Sequence, residues 1–155
     1  MELVENPDLA ALQAIIDCST KTASPAVAGS VAFPARQMSA QELVEFWRNN
    51  RLTAMSTVGA KGAPHIAPVH ARIVGAEIRL VVYDNTVRRA DLATNPRVAF
   101  SAWNAEGAAV IVYGRAREIP NSLRDARPGQ DGTPRKVVEL EVTLTRIYAM
   151  RAPAR

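Results

Sequence analysis

Cysteine, lysine and aromatic residues are scarce in this sequence, and the scarcity excludes several classes of protein. The single cysteine, Cys18, rules out an intramolecular disulfide and a cysteine-based metal cluster. We expect it to be a buried structural thiol in an N-terminal helix rather than a nucleophile. Aromatic residues make up only 5% of the chain. The chain therefore has few aromatic side chains on which nucleic-acid bases could stack.

Long apolar runs and the common nucleotide-binding and nucleophile motifs are also absent. No stretch of about 18 uncharged apolar residues occurs, so we expect no membrane-spanning segment. The first residues, Met1 to Asp8, lack the basic start and apolar core of a secretory signal. No P-loop, Gly-x-Gly-x-x-Gly or Gly-x-Ser-x-Gly motif is found. We therefore expect a soluble cytoplasmic protein without conventional catalytic motifs.

The remaining composition is that of one globular domain. The chain has 155 residues, of which 48% are apolar and 22% are charged. Its 19 basic and 15 acidic residues give a net charge of +4, and all but three of the basic residues are arginines. These arginines are scattered over the chain and form no concentrated basic face, so nucleic acid is not expected as a partner.

The hydrophobic periodicity predicts an N-terminal helix and arm, followed by the main domain. Asn6 as N-cap and Pro7 as the first helical residue begin a helix that should end near Cys18. The following segment, up to Gln37, is rich in Ser, Ala, Pro and Gly, which is typical of an extended arm. We assign residues 1–37 to this helix and arm, and residues 38–155 to the main domain.

The main domain is predicted to be mainly β. Ser39 and Glu42 form a capping box for a second helix, and Thr86 caps a third, short one. Between and after these helices, alternation of apolar and polar residues predicts strands over 52–58, 65–74, 77–83, 97–103, 108–119 and 135–149, with a Pro/Gly-rich linker over 120–134. Six mostly antiparallel strands with short helices predict a closed or partly closed β-barrel.

The two histidines do not suggest a metal site. His65 and His70 lie on one predicted strand, and residues five apart in a strand point to opposite faces. They cannot bind one metal ion from a regular strand, and we expect no metal site.

The segment from Tyr83 to Leu92 is the strongest candidate for ligand binding. A strand ends there, Thr86 caps a helix, and Arg88 and Arg89 lie in the first helical turn. Free backbone N–H groups, the positive end of the helix dipole and guanidinium groups together suit a phosphate. The alternative is that both arginines are solvated surface residues.

The order of these elements resembles the pyridoxamine 5′-phosphate oxidase-like superfamily of flavin-binding split barrels. The similarity runs from Ser39 to about Arg151, and its most specific part is Asn95-Pro-Arg-Val98 preceded by Thr86-Val-Arg88. This resemblance implies a six-stranded split barrel that forms a homodimer, with two flavin sites at the subunit interface and a small-molecule substrate. It further implies that FMN is held by Ala67, Pro68, Val69, His70, Arg72, Val82, Tyr83, Thr86, Arg88, Arg89 and Trp103.

Several departures from the family pattern limit the functional expectation. The true oxidases have further polar cofactor contacts where this chain has Ala67, Val87 and Ala109, and their substrate-binding C-terminal segment is missing. We therefore do not expect pyridoxamine phosphate oxidation, and we assign no catalytic residue. The expected function is an FMN-dependent oxidoreductase acting on a small planar substrate. A deazaflavin-dependent reductase, with Arg36, Arg48, Arg51 and Lys61 holding the acidic tail of its coenzyme, and a non-enzymatic module for flavin, FAD or haem remain alternatives.

Overall fold

The computed structural model describes residues 5–155, which form a β-barrel with helices packed around it. The elements in chain order are α1 (Leu9–Lys21), α2 (Pro25–Ala28), a 3-10 helix (Pro34–Arg36), α3 (Ala40–Asn49), β1 (Leu52–Val58), β2 (Pro64–Val74), β3 (Glu77–Tyr83), α4 (Val87–Leu92), β4 (Arg97–Trp103), β5 (Ala109–Glu118), β6 (Arg124–Ala126) and β7 (Arg135–Met150).

Six strands close the barrel in the order β3-β2-β1-β4-β5-β7, because β7 also pairs with β3. Every pairing is antiparallel. Alternate side chains of each strand point inward, and the fully buried ones include Met55, Ile78, Phe100, Val110 and Leu140. The predicted mainly β, six-stranded antiparallel barrel is confirmed.

Helix α3 begins and packs as its sequence predicts. Ser39 Oγ accepts a hydrogen bond from Glu42 N at 3.2 Å, and Glu42 Oε1 accepts one from Ser39 N at 3.4 Å. Both halves of the capping box are therefore present. The buried Trp47 on this helix donates from Nε1 to the carbonyl oxygen of Ala71 at 3.1 Å, which fixes α3 to β2.

Helix α1 differs from its prediction at both ends. Asp8, not Asn6, is the N-cap, and its carboxylate accepts from Ala11 N at 3.0 Å. The backbone carbonyl of Asn6 instead accepts from Gly75 N at 3.1 Å, so this residue is used by the β2–β3 turn. The helix continues to Lys21 rather than ending near Cys18.

The expectation of a buried Cys18 is wrong, because the side chain is exposed. The next residue, Ser19, takes the buried position. Its hydroxyl donates to the carbonyl of Ile15 at 2.6 Å and accepts from Ile147 N at 3.0 Å. Helix α1 is thus rotated so that a hydroxyl, not the thiol, contacts β7.

Two segments predicted to lack regular structure contain short elements. The arm after α1 includes α2, which begins with Ser24 as N-cap and Pro25 as first residue, and a 3-10 helix. The predicted linker 120–134 contains β6, which pairs with the start of β7 through Asp125 and Lys136. Strands and helices of three or four residues are too short to show a hydrophobic period.

Candidate functional site

A cavity of about 350 Å³ lies where β2 and β3 part from one another. The two strands pair from Val74 and Glu77 as far as Ala71 and Leu80. Beyond that point β2 pairs only with β1, and β3 only with β7. The cavity is lined by Pro68, Val69, His70, Val81, Val82, Tyr83, Arg88, Ala126, Arg127 and Val137. The split in the barrel wall therefore forms a cavity that is a candidate binding site.

The structure brings six of the predicted flavin-binding residues together in this cavity. They are Pro68, Val69, His70, Val82, Tyr83 and Arg88. Val81 was missed, although the period of two places it on the outer face of β3 together with Tyr83. Arg127 was also missed, because nothing in the sequence of the predicted linker indicates that this part of the linker packs next to β3.

Arg88 is the charged group that helix α4 contributes to the cavity. Its Nε atom is buried and has no hydrogen-bond partner among residues 5–155. A buried guanidinium nitrogen without a partner costs free energy that a bound anion would offset. This feature fits the phosphate of a flavin.

Thr86 and Arg89 do not line this cavity. Thr86 Oγ1 donates to the carbonyl of Tyr83 at 3.0 Å and accepts from Arg89 N at 3.4 Å, so its hydroxyl caps the helix. Arg89 makes a bidentate ion pair with Glu118, in which both N–O distances are 2.9 Å. These hydrogen bonds raise the pKa of Arg89. Both residues line a separate cavity of about 550 Å³ on the other side of α4.

Ala67, Arg72 and Trp103 also lie outside the cavity between β2 and β3. Ala67 pairs with Met55 of β1. Arg72 lines an adjoining cavity of about 460 Å³, which shares His70 and Val81 with the first. Trp103, at the end of β4, is 63% exposed on the outside of the barrel.

Helix α4 is held in place by a buried carboxylate. Asp91 Oδ2 accepts from Thr57 Oγ1 at 2.6 Å and lies 2.7 Å from His65 Nδ1. Burial alone would raise the pKa of Asp91, but the hydrogen bonds with Thr57 and His65 outweigh it and lower that pKa. The network joins α4, and with it Arg88, to β1 and β2.

The four basic residues expected to hold an acidic coenzyme tail have other roles in the structure. Arg36 donates to the carbonyl oxygens of Arg151 and Gly107. Arg48 and Arg51 share the carboxylate of Glu5, at 3.3 and 3.5 Å. Lys61 lies in the exposed β1–β2 turn. The structure does not assemble them into a single groove.

Neither metal ligands nor a membrane-spanning helix are found in the part of the chain that the structure describes. No three His, Cys, Asp or Glu side chains of residues 5–155 gather closely enough to hold a metal ion. No helix within the same range is both long enough and apolar enough to cross a membrane.

The six strands form a barrel whose wall opens between β2 and β3, where the basic cavity lies. This architecture defines a split-barrel protein. The family model for pyridoxamine 5′-phosphate oxidase matches residues 39–150, and the chain belongs to this family. A search of curated proteins gave no significant match.

Solved structures with the same fold have varied descriptions. A conserved hypothetical protein of Mycobacterium tuberculosis is 16% identical with a TM-score of 0.64, over 79% of this chain and 93% of that one. A FAD-binding protein of Mesorhizobium loti is 18% identical with a TM-score of 0.56, over 72% of this chain and 94% of that one. The haem storage protein HutZ of Vibrio cholerae is 13% identical with a TM-score of 0.56, over 71% and 93%. At these identities the likeness shows the fold.

Proposed function

We propose that the protein binds FMN in the cavity between β2 and β3 and acts as a flavin-dependent oxidoreductase on a small planar substrate. The observation that carries this proposal is the buried Nε of Arg88, which has no hydrogen-bond partner in the described part of the chain, in a residue that lines a cavity with largely apolar walls. A phosphate on a flat, apolar ring system matches both features. When bound, the flavin supplies the hydride or electron transfer, and the protein supplies position and electrostatics.

The residues around the cavity divide between the two ends of such a ligand. Arg88 would hold the phosphate, and Pro68, Val81 and Tyr83 would contact the ring. His70 is the one polar side chain on the β2 wall. It would donate or accept a hydrogen bond at the edge of the ring, and it also faces the adjoining cavity, where the substrate would enter.

The charges next to the site favour FMN over a deazaflavin coenzyme with an acidic tail. A cavity of about 320 Å³ adjoins the first at Tyr83, and Asp84 and Asp131 both line it. Arg135 also lines it, but the two carboxylates outnumber this one guanidinium and would repel an acidic tail that extended past the phosphate into this cavity. FAD and haem, which are named in the descriptions of two proteins of this fold, remain alternatives that a spectrum distinguishes.

We also propose that two copies of the chain form a dimer through the outer face of β2, β1, β4 and β5. Ile66, Leu52 and Trp103 are 75%, 60% and 63% exposed on these strands. Ser56 of β1 pairs with Ile66 on one side and with Ala99 on the other, so small uncharged residues connect the exposed apolar ones. An exposed apolar face of this kind marks an interface, and a twofold dimer would bury the same face, including Trp103, on both copies.

A cytoplasmic location forms part of the proposal. Cys18 is an exposed free thiol, and such a group is kept reduced in the cytoplasm.

Titration of the purified protein with FMN tests the proposed function. We expect FMN to bind with a flavin absorbance spectrum and to raise the melting temperature. Arg88→Ala should weaken FMN binding on the order of ten-fold or more, since charged hydrogen bonds contribute about 1.5–3 kcal/mol. Arg124→Ala, which removes an exposed arginine of β6, is the matched control and should bind FMN like the wild type.

Other results would change the proposal in defined ways. Binding of haem with a Soret band, or tight binding of a deazaflavin coenzyme but not FMN, would replace FMN as the ligand. Absence of turnover of the FMN complex with a broad panel of electron acceptors would assign a binding or storage role instead. Failure of all three cofactors to bind would overturn the proposal.

A further inference from the structure

The cavity between β2 and β3 differs from the other cavities of the described residues in its charge. Arg88 and Arg127 are the charged side chains that line it, and no carboxylate of residues 5–155 lines it with them. The other large cavities are lined by side chains of both charges. Arg89 and Arg117 line one together with Asp84 and Glu118, and three arginines line another together with Glu139. Neither Arg88 nor Arg127 has an ion-pair partner within the described part of the chain.

Arg127 reaches this cavity because β6 and β7 form a hairpin. Ala126 of β6 pairs with Arg135 of β7, so residue 127 directly follows a paired position. The tip is closed by the hydrogen bond from Gly129 N to the carbonyl of Thr133, at 3.2 Å. The Arg135 guanidinium lies 5.0 Å from the centre of the Tyr83 ring. This cation–π contact holds the hairpin against β3.

We propose that Arg127 is a second ligand for the anionic group that Arg88 binds, so that α4 and the β6–β7 hairpin together form the anion site. The inference rests on the proposed function in taking the anion to be the flavin phosphate. Two positive charges that face one cavity repel each other. A phosphate dianion bound between them attracts both, and this attraction offsets the repulsion. The planar guanidinium group can hold two phosphate oxygens at once.

The main experiment compares FMN with riboflavin, which lacks the phosphate. Dissociation constants are measured for the wild type, Arg127→Ala, Arg127→Lys and Arg124→Ala. Arg124 lies on the same hairpin and is exposed, so its removal changes the net charge equally. We expect Arg127→Ala to weaken FMN binding on the order of ten-fold while riboflavin binding changes less than about two-fold. The lysine variant should recover part of the loss, and Arg124→Ala should match the wild type.

A second measurement uses inorganic phosphate alone and does not depend on flavin. Its effect on the melting temperature is compared with that of chloride at equal ionic strength. We expect phosphate to stabilise the wild type and Arg124→Ala more than Arg127→Ala or Arg88→Ala.

The two measurements separate this inference from the proposed function. Phosphate stabilisation that requires Arg127, in a protein that does not bind FMN, would support the two-arginine anion site and overturn the flavin assignment. Tight FMN binding that is unchanged in Arg127→Ala would support the flavin assignment and overturn the role of Arg127. If Arg127→Ala and Arg124→Ala weakened FMN binding equally, Arg127 would contribute only to the net charge. That result would also overturn its proposed role as an anion ligand.

Discussion

Asp91 shows how a single buried residue connects stability to the binding site. Its carboxylate is shared between Thr57 of β1 and His65 of β2, while its backbone belongs to α4. Arg88 is one helical turn away on the same short helix. A change in the charge of Asp91 therefore acts on both the fold and the position of Arg88.

We predict that Asp91→Asn lowers the free energy of unfolding at pH 7 by about 1–3 kcal/mol, because the charged hydrogen bonds are weakened. The folded state lowers the pKa of Asp91. The stabilisation is thus fully present above the unfolded-state pKa of about 3.9 and is lost as the pH falls through the folded-state pKa. Urea unfolding at pH 7, 5 and 3 measures the difference between wild type and variant.

The exposed Asp125→Asn is the control for this prediction and should change little at any of these pH values. A difference between wild type and Asp91→Asn that grew between pH 5 and pH 3 would contradict the assignment. The variant should also bind FMN more weakly than Asp125→Asn does, because Arg88 would be less well positioned.

At the scale of elements, the pairing of β5 with β7 depends on a glycine. The register of the two strands shifts between Tyr113 and Gly114. A Cβ atom at Gly114 would lie 2.5 Å from the backbone oxygen of Thr143 and 2.7 Å from Cγ1 of Val142. Neither neighbour is the flexible end of a long side chain, so the close approach of the strands requires glycine.

We predict that Gly114→Ala destabilises the protein by about 1–3 kcal/mol through overpacking at this irregularity. Gly29→Ala is the control: Gly29 has a negative φ, and its nearest contact is 3.3 Å away. Thermal unfolding of both variants measures the effect. Equal melting temperatures would mean that the strands can move apart at Gly114 without cost.

At the scale of the whole molecule, the closed barrel leaves its outer faces as the surfaces available for association. Closure leaves unpaired strand sides mainly at the split, where β2 and β3 separate beyond Ala71 and Leu80, so most of the barrel surface offers a partner side chains rather than a free strand edge. The exposed face of β2, β1, β4 and β5 carries Ile66, Leu52 and Trp103 and adjoins Pro68 and His70 of the cavity. Dimerisation there would enclose the ligand more completely.

We predict that Ile66→Glu converts the proposed dimer to a monomer, because two buried carboxylates would face a partner without compensation. Light scattering coupled to size-exclusion chromatography measures the mass of each species. Leu123→Glu places the same charge at an exposed apolar residue outside this face and should leave the dimer intact. A monomeric wild type would contradict the proposed assembly.

Sequence reasoning succeeded for features that depend on neighbours along the chain. The capping box at Ser39 and the cap at Thr86 follow from local hydrogen bonding, and the bounds of β1, β3 and β4 follow from alternation over seven residues. It failed for Cys18, because the rotation of α1 is set by the contact of Ser19 with Ile147. It also missed β6, whose three residues pair with a strand that lies further along the chain.

The sequence by itself determined the mainly β barrel and the family pattern around Arg88, because residue types and short spacings carry that information. Only the tertiary structure decided which arginines are free to bind an anion. Arg89 follows Arg88 directly, yet it is paired with Glu118, whereas the β6–β7 hairpin brings Arg127 to the cavity that Arg88 also lines. The partners of a charged side chain depend on strand pairing between distant parts of the chain, which local sequence does not record.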